Sequence, residues 1–173
     1  MTQNTRISYE GKDYIWTGTD WCDAETFLTP PLVIVRKLNR LLEQELRSED
    51  TAISDASVLI QRASAARDAL QYDRAEALTR RALELSPGNC AALAVLCSVL
   101  RAQGQPRQAL DETEAFRREP HPPLLTSRAA VLCDLKRWKE AKQEIGRALA
   151  IEKSEEAFNV VHRIKAERPD LYR

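Results

Sequence analysis

LQYDRAEALTRRALEL (residues 70–85), GQPRQALDETEAFRRE (104–119) and KRWKEAKQEIGRALAI (136–151) decide the fold, because the three stretches superimpose. Each has a turn leading into Tyr72, Pro106 or Trp138, with an alanine three residues on, at Ala75, Ala109 and Ala141. A second point recurs seven residues later as Ala82, Phe116 and Ala148. A third lies twelve residues upstream of the first, at Ala63, Cys97 and Ala129. All three series step by 34 and then by 32 residues. The same two residues are therefore missing from every series, which puts the deletion between Phe116 and Ala129, in the connection REPHPPLL. Its three prolines forbid a continuing helix, so the helix before it is predicted to end early and the next unit to stack at an altered angle.

This spacing resembles the tetratricopeptide repeat, a 34-residue helix-turn-helix unit with small residues at positions 8, 20 and 27 and a proline near 32. In that register the units are 56–89, 90–121 and 122–155. The resemblance implies a mainly α fold, an α-α superhelix in which residues 54–155 carry three repeats. Small residues are needed because paired helices approach to about 8–10 Å. Phe116 breaks that rule, and a locally wider crossing is predicted there. Ser54 or Asp55 is suited to cap the first helix, Gly104 to end the third with Pro106 opening the fourth, and SPGN to close the first unit. A repeat array needs a polar-backed cap at its end. Residues 154–173 supply it: Ser154 as N-cap, Glu155 and Glu156 in the first turn, a stripe of Ala157, Phe158, Val161 and Ile164, and Pro169 as the stop.

Upstream, TPPLVIVRKLNRLLEQEL predicts an amphipathic helix from Thr29 as cap and Pro30 as first helical residue to about residue 46, followed by a polar linker, within a segment 30–53. Its apolar stripe has two candidate partners, the front of the first repeat and the segment before it. That segment, 1–29, places Ile7, Tyr9, Tyr14 and Trp16 at period-two spacing, broken by EGKD and TGTD, and is predicted to be a three-stranded β-meander. So small a sheet needs something to cover its aromatic face, and the following helix would serve. The other use of Tyr9, Tyr14, Trp16 and Trp21 is a ring-lined interface for a peptide or a second copy.

The chain has 173 residues, 43% hydrophobic and 30% charged, with 26 basic against 26 acidic side chains. That balance gives no global field favouring nucleic acid or an anionic membrane. No apolar run approaches the roughly 20 residues that span a bilayer, and the amino terminus lacks a secretory pattern, so a cytoplasmic protein is expected. Cys22, Cys90, Cys97 and Cys133 form no CxxC pair and read as reduced thiols. The glycines are scattered, and there is no GxSxG, no HExxH and no partner in sequence for His121 or His162. No catalytic residue, metal site or cofactor is expected.

Binding is the better expectation, since stacked repeats line an inner face with the first helix of each unit. What the resemblance implies is that positions 2, 5, 9, 12 and 13 face it. These are Ser57, Ile60, Ser64, Arg67 and Asp68, then Ala91, Ala94, Ser98, Arg101 and Ala102, then Pro123, Thr126, Ala130, Cys133 and Asp134. The branch of the family that grips a terminal carboxylate has Lys and Asn at positions 5 and 9 of its first unit. Ile60 and Ser64 stand there, which argues against that ligand. Arg67 and Arg101, one repeat apart, either engage an acidic segment or pair with Asp68 and neighbouring acids. The expected function is a non-enzymatic scaffold that binds a short protein segment. The alternatives are self-association through the amino-terminal aromatics, giving a homo-oligomer, or a regulatory subunit of a separate enzyme.

Overall fold

A computed structural model describes residues 5–172 and divides into two compact units, Met1–Ala52 and Ile53–Arg173.

The first unit is an antiparallel meander, β1 (Thr5–Tyr9), β2 (Lys12–Trp16) and β3 (Trp21–Asp23), followed by α1 (Leu32–Ala52). Tyr9 pairs with Lys12, leaving Glu10 and Gly11 as a two-residue turn. Both have positive φ, 51° and 77°, as the mirror-image turn that matches strand twist requires. Alternation then sorts the faces. Arg6, Ser8 and Asp13 form a polar cluster on one, with Arg6 Nε 3.0 Å from Asp13. Ile7, Tyr14 and Trp21 on the other are buried against Leu38 and Leu42 of α1. The indole Nε1 of Trp21 donates to Asn39 at 2.7 Å, so the polar atom of this buried ring is satisfied.

Two expectations for α1 need correction. It begins at Leu32 rather than Pro30, because Pro31 disfavours helical geometry in the residue before it. It also runs through the predicted linker to Ala52; polarity does not end a helix, and RSEDTA contains neither Gly nor Pro.

The second unit is all helix: α2 (Ala56–Asp68), α3 (Tyr72–Leu85), α4 (Cys90–Ala102), α5 (Pro106–Thr113), α6 (Pro122–Asp134), α7 (Trp138–Ile151) and α8 (Glu155–Glu167). Of the two cap candidates, Asp55 serves, accepting from the Ser57 amide at 2.7 Å. His121 caps α6 through Nδ1, which accepts from the Leu124 amide at 3.3 Å. The three turns inside the helix pairs are copies of one another. Gln71, Gln105 and Arg137 each donate their amide to the carbonyl five residues back, at 2.8 Å. Leu70, Gly104 and Lys136 hold the left-handed position at φ 60°, 77° and 59°. At the helix crossings Ala63, Ala75, Ala82, Cys97, Ala109, Ala129, Ala141 and Ala148 are fully buried.

Phe116 does not wedge a crossing. α5 has already ended at Thr113, and a 3-10 turn (Glu114–Phe116) carries the ring over Gly88 and onto Leu93, Ala94 and Leu124. The shortened helix leaves carbonyls that a full-length one would use, and two arginines of the following helices take them. Arg147 donates to the Arg117 and Arg118 carbonyls at 2.6 and 2.9 Å. Arg128, only 3% exposed, reaches the Leu110 carbonyl at 3.4 Å and the Thr113 hydroxyl at 2.6 Å, and pairs with Glu144 at 3.0 Å and Glu114 at 3.1 Å. Burial alone would lower the pKa of Arg128, but the bonds and charge of Glu144 and Glu114 raise it above its ordinary value.

Candidate functional site

The face of first helices is built from α2, α4, α6 and also α8. That last helix has 13 residues, like the other three, and follows α7 as the opening half of a further unit. Its inward residues Ala157, Val160 and Ile164 are buried in the same core as α6 and α7. It therefore caps the array and extends this face as well.

An arginine link joins each neighbouring pair of these helices. Arg67 of α2 lies 2.8 and 3.0 Å from its neighbour Asp68 and reaches Ser98 of α4 at 3.3 Å. Arg101 of α4 donates through Nε to Asp134 of α6 at 2.6 Å. Arg163 of α8 donates through Nη1 to the other oxygen of Asp134, also at 2.6 Å. Pairs this exposed contribute about 0–1 kcal/mol each to stability, so their main effect is to hold the side chains in place.

The residues expected on this face divide by burial. Ser64, Arg67, Ser98, Ala130 and Asp134 are half-buried, Asp68 and Arg101 exposed. Ile60 is half-buried and packs on the core of the first helix pair. Ala94 and Thr126 are buried, at 6% and 9% exposure, as is Cys133 at 1%, which leaves them little surface to offer a ligand. Ala94 lies beneath the Phe116 ring, where the 3-10 turn brings it. Arg163 was missed, since the position-nine series Ser64, Ser98, Ala130 continued by 34 residues points to Ile164, its buried neighbour.

In the first unit the four aromatic residues also divide by burial. Tyr14 and Trp21 are core residues at 6% and 1% exposure. Trp16 packs on Trp21 with the rings tilted at 56° and centroids 5.5 Å apart, and Tyr9 accepts from Lys37 at 2.5 Å. The exposed apolar residues are instead Phe27, Leu28, Leu32 and Val33, each more than 60% exposed. They follow a loop tied by Asp23, whose carboxylate accepts from the Thr26 and Glu25 amides at 2.9 and 3.0 Å and is held below its ordinary pKa by those bonds. Phe27 adopts φ 57°, a costly geometry for a bulky side chain.

A recess of about 560 Å³ lies on α7, lined by Lys139, Lys142, Gln143, Gly146, Ala150 and Leu171 among others. Lys142 there is committed to the Leu171 carbonyl and the Tyr172 ring. The Cys97 thiol is pushed up to about 12 by burial, leaving no thiolate at neutral pH. Among the described residues, no group of three or more His, Cys, Asp or Glu side chains is arranged to hold a metal ion, and no helix is long and apolar enough to cross a membrane.

Comparison with known proteins agrees with the repeat ladder. A sequence model of the family described as anaphase-promoting complex, cyclosome, subunit 3 matches residues 68–148. No curated protein sequence matches the chain. Among solved structures, the tetratricopeptide domain of Sgt2 from Aspergillus fumigatus superimposes with a TM-score of 0.60 at 19% identity, over 68% of this chain and 81% of that one. The first such domain of human RPAP3 gives 0.58 at 20% identity, over 64% and 90%. The first such domain of Spaghetti (RPAP3), bound to the HSP90 peptide SRMEEVD, gives 0.57 at 20% identity, over 65% and 92%. With its own triplicated turns and crossings, the chain has the tetratricopeptide-repeat fold, and its small amino-terminal sheet stands outside the repeats.

Proposed function

We propose that the protein is a non-enzymatic interaction scaffold that holds a short segment of another protein on the face of α2, α4, α6 and α8. The observation that carries this is the arginine ladder. Arg67, Arg101 and Arg163 stand on α2, α4 and α8, partly exposed and held by Ser98 and by Asp134 of α6, on the face that also carries the small side chains Ser64, Ser98 and Ala130. Fixed polar groups over a row of small residues suit an extended chain, because donors already aligned cost little to order. That a structural neighbour is seen with a bound peptide supports the reading. A soluble cytoplasmic protein is the setting such a role implies.

The test is capture of partners from host lysate by the full chain and by an Arg67→Glu/Arg101→Glu variant of unchanged helicity. Partners held by the first and lost by the second are expected. The same partners on both baits would move the site elsewhere.

Self-association through the first unit is the second reading, favoured by the exposed run Phe27, Leu28, Leu32 and Val33. It requires a mass above that of one chain by light scattering, returning to the monomer in a Phe27→Ser/Leu32→Ser variant.

A further inference from the structure

We infer that the end of the face between α4 and α8 is an anion subsite that takes a carboxylate or phosphoryl side chain of the bound segment, gripped by Arg101 and Arg163 together. This deepens the proposed function and rests on it.

Charge is the first ground. At the α2 end, Arg67 is matched by Asp68, one to one. At the other end, two guanidiniums share the single carboxylate of Asp134, leaving a local charge of plus one. The face is therefore polarised along its length.

Unused hydrogen-bonding capacity is the second. A guanidinium carries five N–H donors. Arg101 spends its Nε on Asp134 and Arg163 its Nη1, and among the described residues neither has a second acceptor. Both side chains are 40% exposed, so the remaining donors are open to a ligand.

Preorganisation is the third. Asp134 takes one arginine on each oxygen, at 2.6 Å, and so fixes two long side chains that would otherwise lose rotamer freedom on binding. The guanidinium donors that Asp134 leaves unused are of the kind that form forked, charge-assisted bonds to a second anion. Arg163 comes from the capping helix, so the site exists only once α8 has docked on α6. An uncharged or basic side chain at that point of the ligand would leave the local positive charge unmatched.

Selection from a library of random decapeptides tests this. The peptides are acetylated and amidated to remove terminal charges, contain Asp, Glu and phosphoserine among their residues, and are offered to the full chain and to its Arg163→Gln and Arg101→Gln variants, each checked for helicity. The expected result is an acidic or phosphorylated residue enriched at one fixed position, with affinity for those peptides about tenfold or more weaker in either variant. Separate tallies for Asp or Glu and for phosphoserine identify which anion is used. Peptides enriched without an anionic position, or with one that Arg163→Gln leaves unchanged, would overturn the subsite while leaving the proposed function standing. Were one variant to fail to fold, the other would decide. Failure of the wild-type chain to enrich any peptide would overturn both.

Discussion

Replacing Arg128 by Met probes how the protein tolerates its missing two residues. Met refills the volume of the stem but removes the guanidinium that serves Glu144, Glu114, Thr113 and the Leu110 carbonyl. Glu144 has a side chain only 13% exposed, so it becomes a poorly solvated charge without its counter-ion. Breaking one side of a buried pair costs about 3–5 kcal/mol. The bond to Glu114, 54% exposed, adds less than about 1 kcal/mol. Thr113 keeps its own bond to the Ala109 carbonyl at 2.8 Å and contributes little. A loss of about 3–5 kcal/mol, roughly 10–20 °C in Tm for a domain of this size, is expected in urea and thermal unfolding followed by circular dichroism. An Arg128→Met/Glu144→Met double variant should recover most of it, since removing both charges avoids the stranded one.

The same substitution makes a pH prediction. Burial tends to raise the pKa of Glu114, but hydrogen bonds from Arg117 and Arg128 hold it below its ordinary 4.5. A depressed carboxylate stabilises the fold above the unfolded value and ceases to do so as pH falls through the folded one. The wild type should therefore lose more stability than Arg128→Met as pH falls from about 4.5 through the folded value of Glu114. A cost under about 1 kcal/mol for the single variant, or a double variant no more stable than it, would refute the account of Arg128 as the clamp on the truncated helix.

Gly88→Ala should destabilise by about 1–2 kcal/mol, because the position has φ +77° and a Cβ would lie 3.0 Å from the Phe116 ring. In a Phe116→Leu background the steric part of that cost, measured by urea midpoint, should fall. Leu70→Gly should stabilise by about 0.5–1 kcal/mol, since Leu70 holds a left-handed turn at φ 60° with a side chain 71% exposed. No rise in Tm would show that turn to be unstrained. In native protein treated with iodoacetamide, mass spectrometry should find Cys90, half-buried, labelled well before Cys97, whose pKa of about 12 and full burial withhold the thiolate. Equal rates would mean that the repeat core opens readily.

The spacing of Ala75, Ala109 and Ala141 was enough to read the helix pairs, because a helix crossing demands a small residue at a fixed place in the repeat. The early end of α5 was likewise legible in its prolines and in the two-residue deficit. Asp55, Gly104 and Pro106 act locally, within a turn of their own positions, so they could be placed without knowing the fold. Burial of Ala94 and Thr126 was harder to foresee, as it depends on which neighbouring element covers each face. Arg128 and Arg163 were hidden for the same reason: their partners lie 14 to 29 residues away. The sequence by itself thus determined the repeat, its turns and its capping helix, all set by interactions within a few residues. Only the tertiary structure decided that Arg128 plugs the truncated helix and that Arg101 and Arg163 meet on Asp134. Such pairings arise when stacking brings separate helices side by side, and neither periodicity nor local propensity encodes which side chains then come within reach.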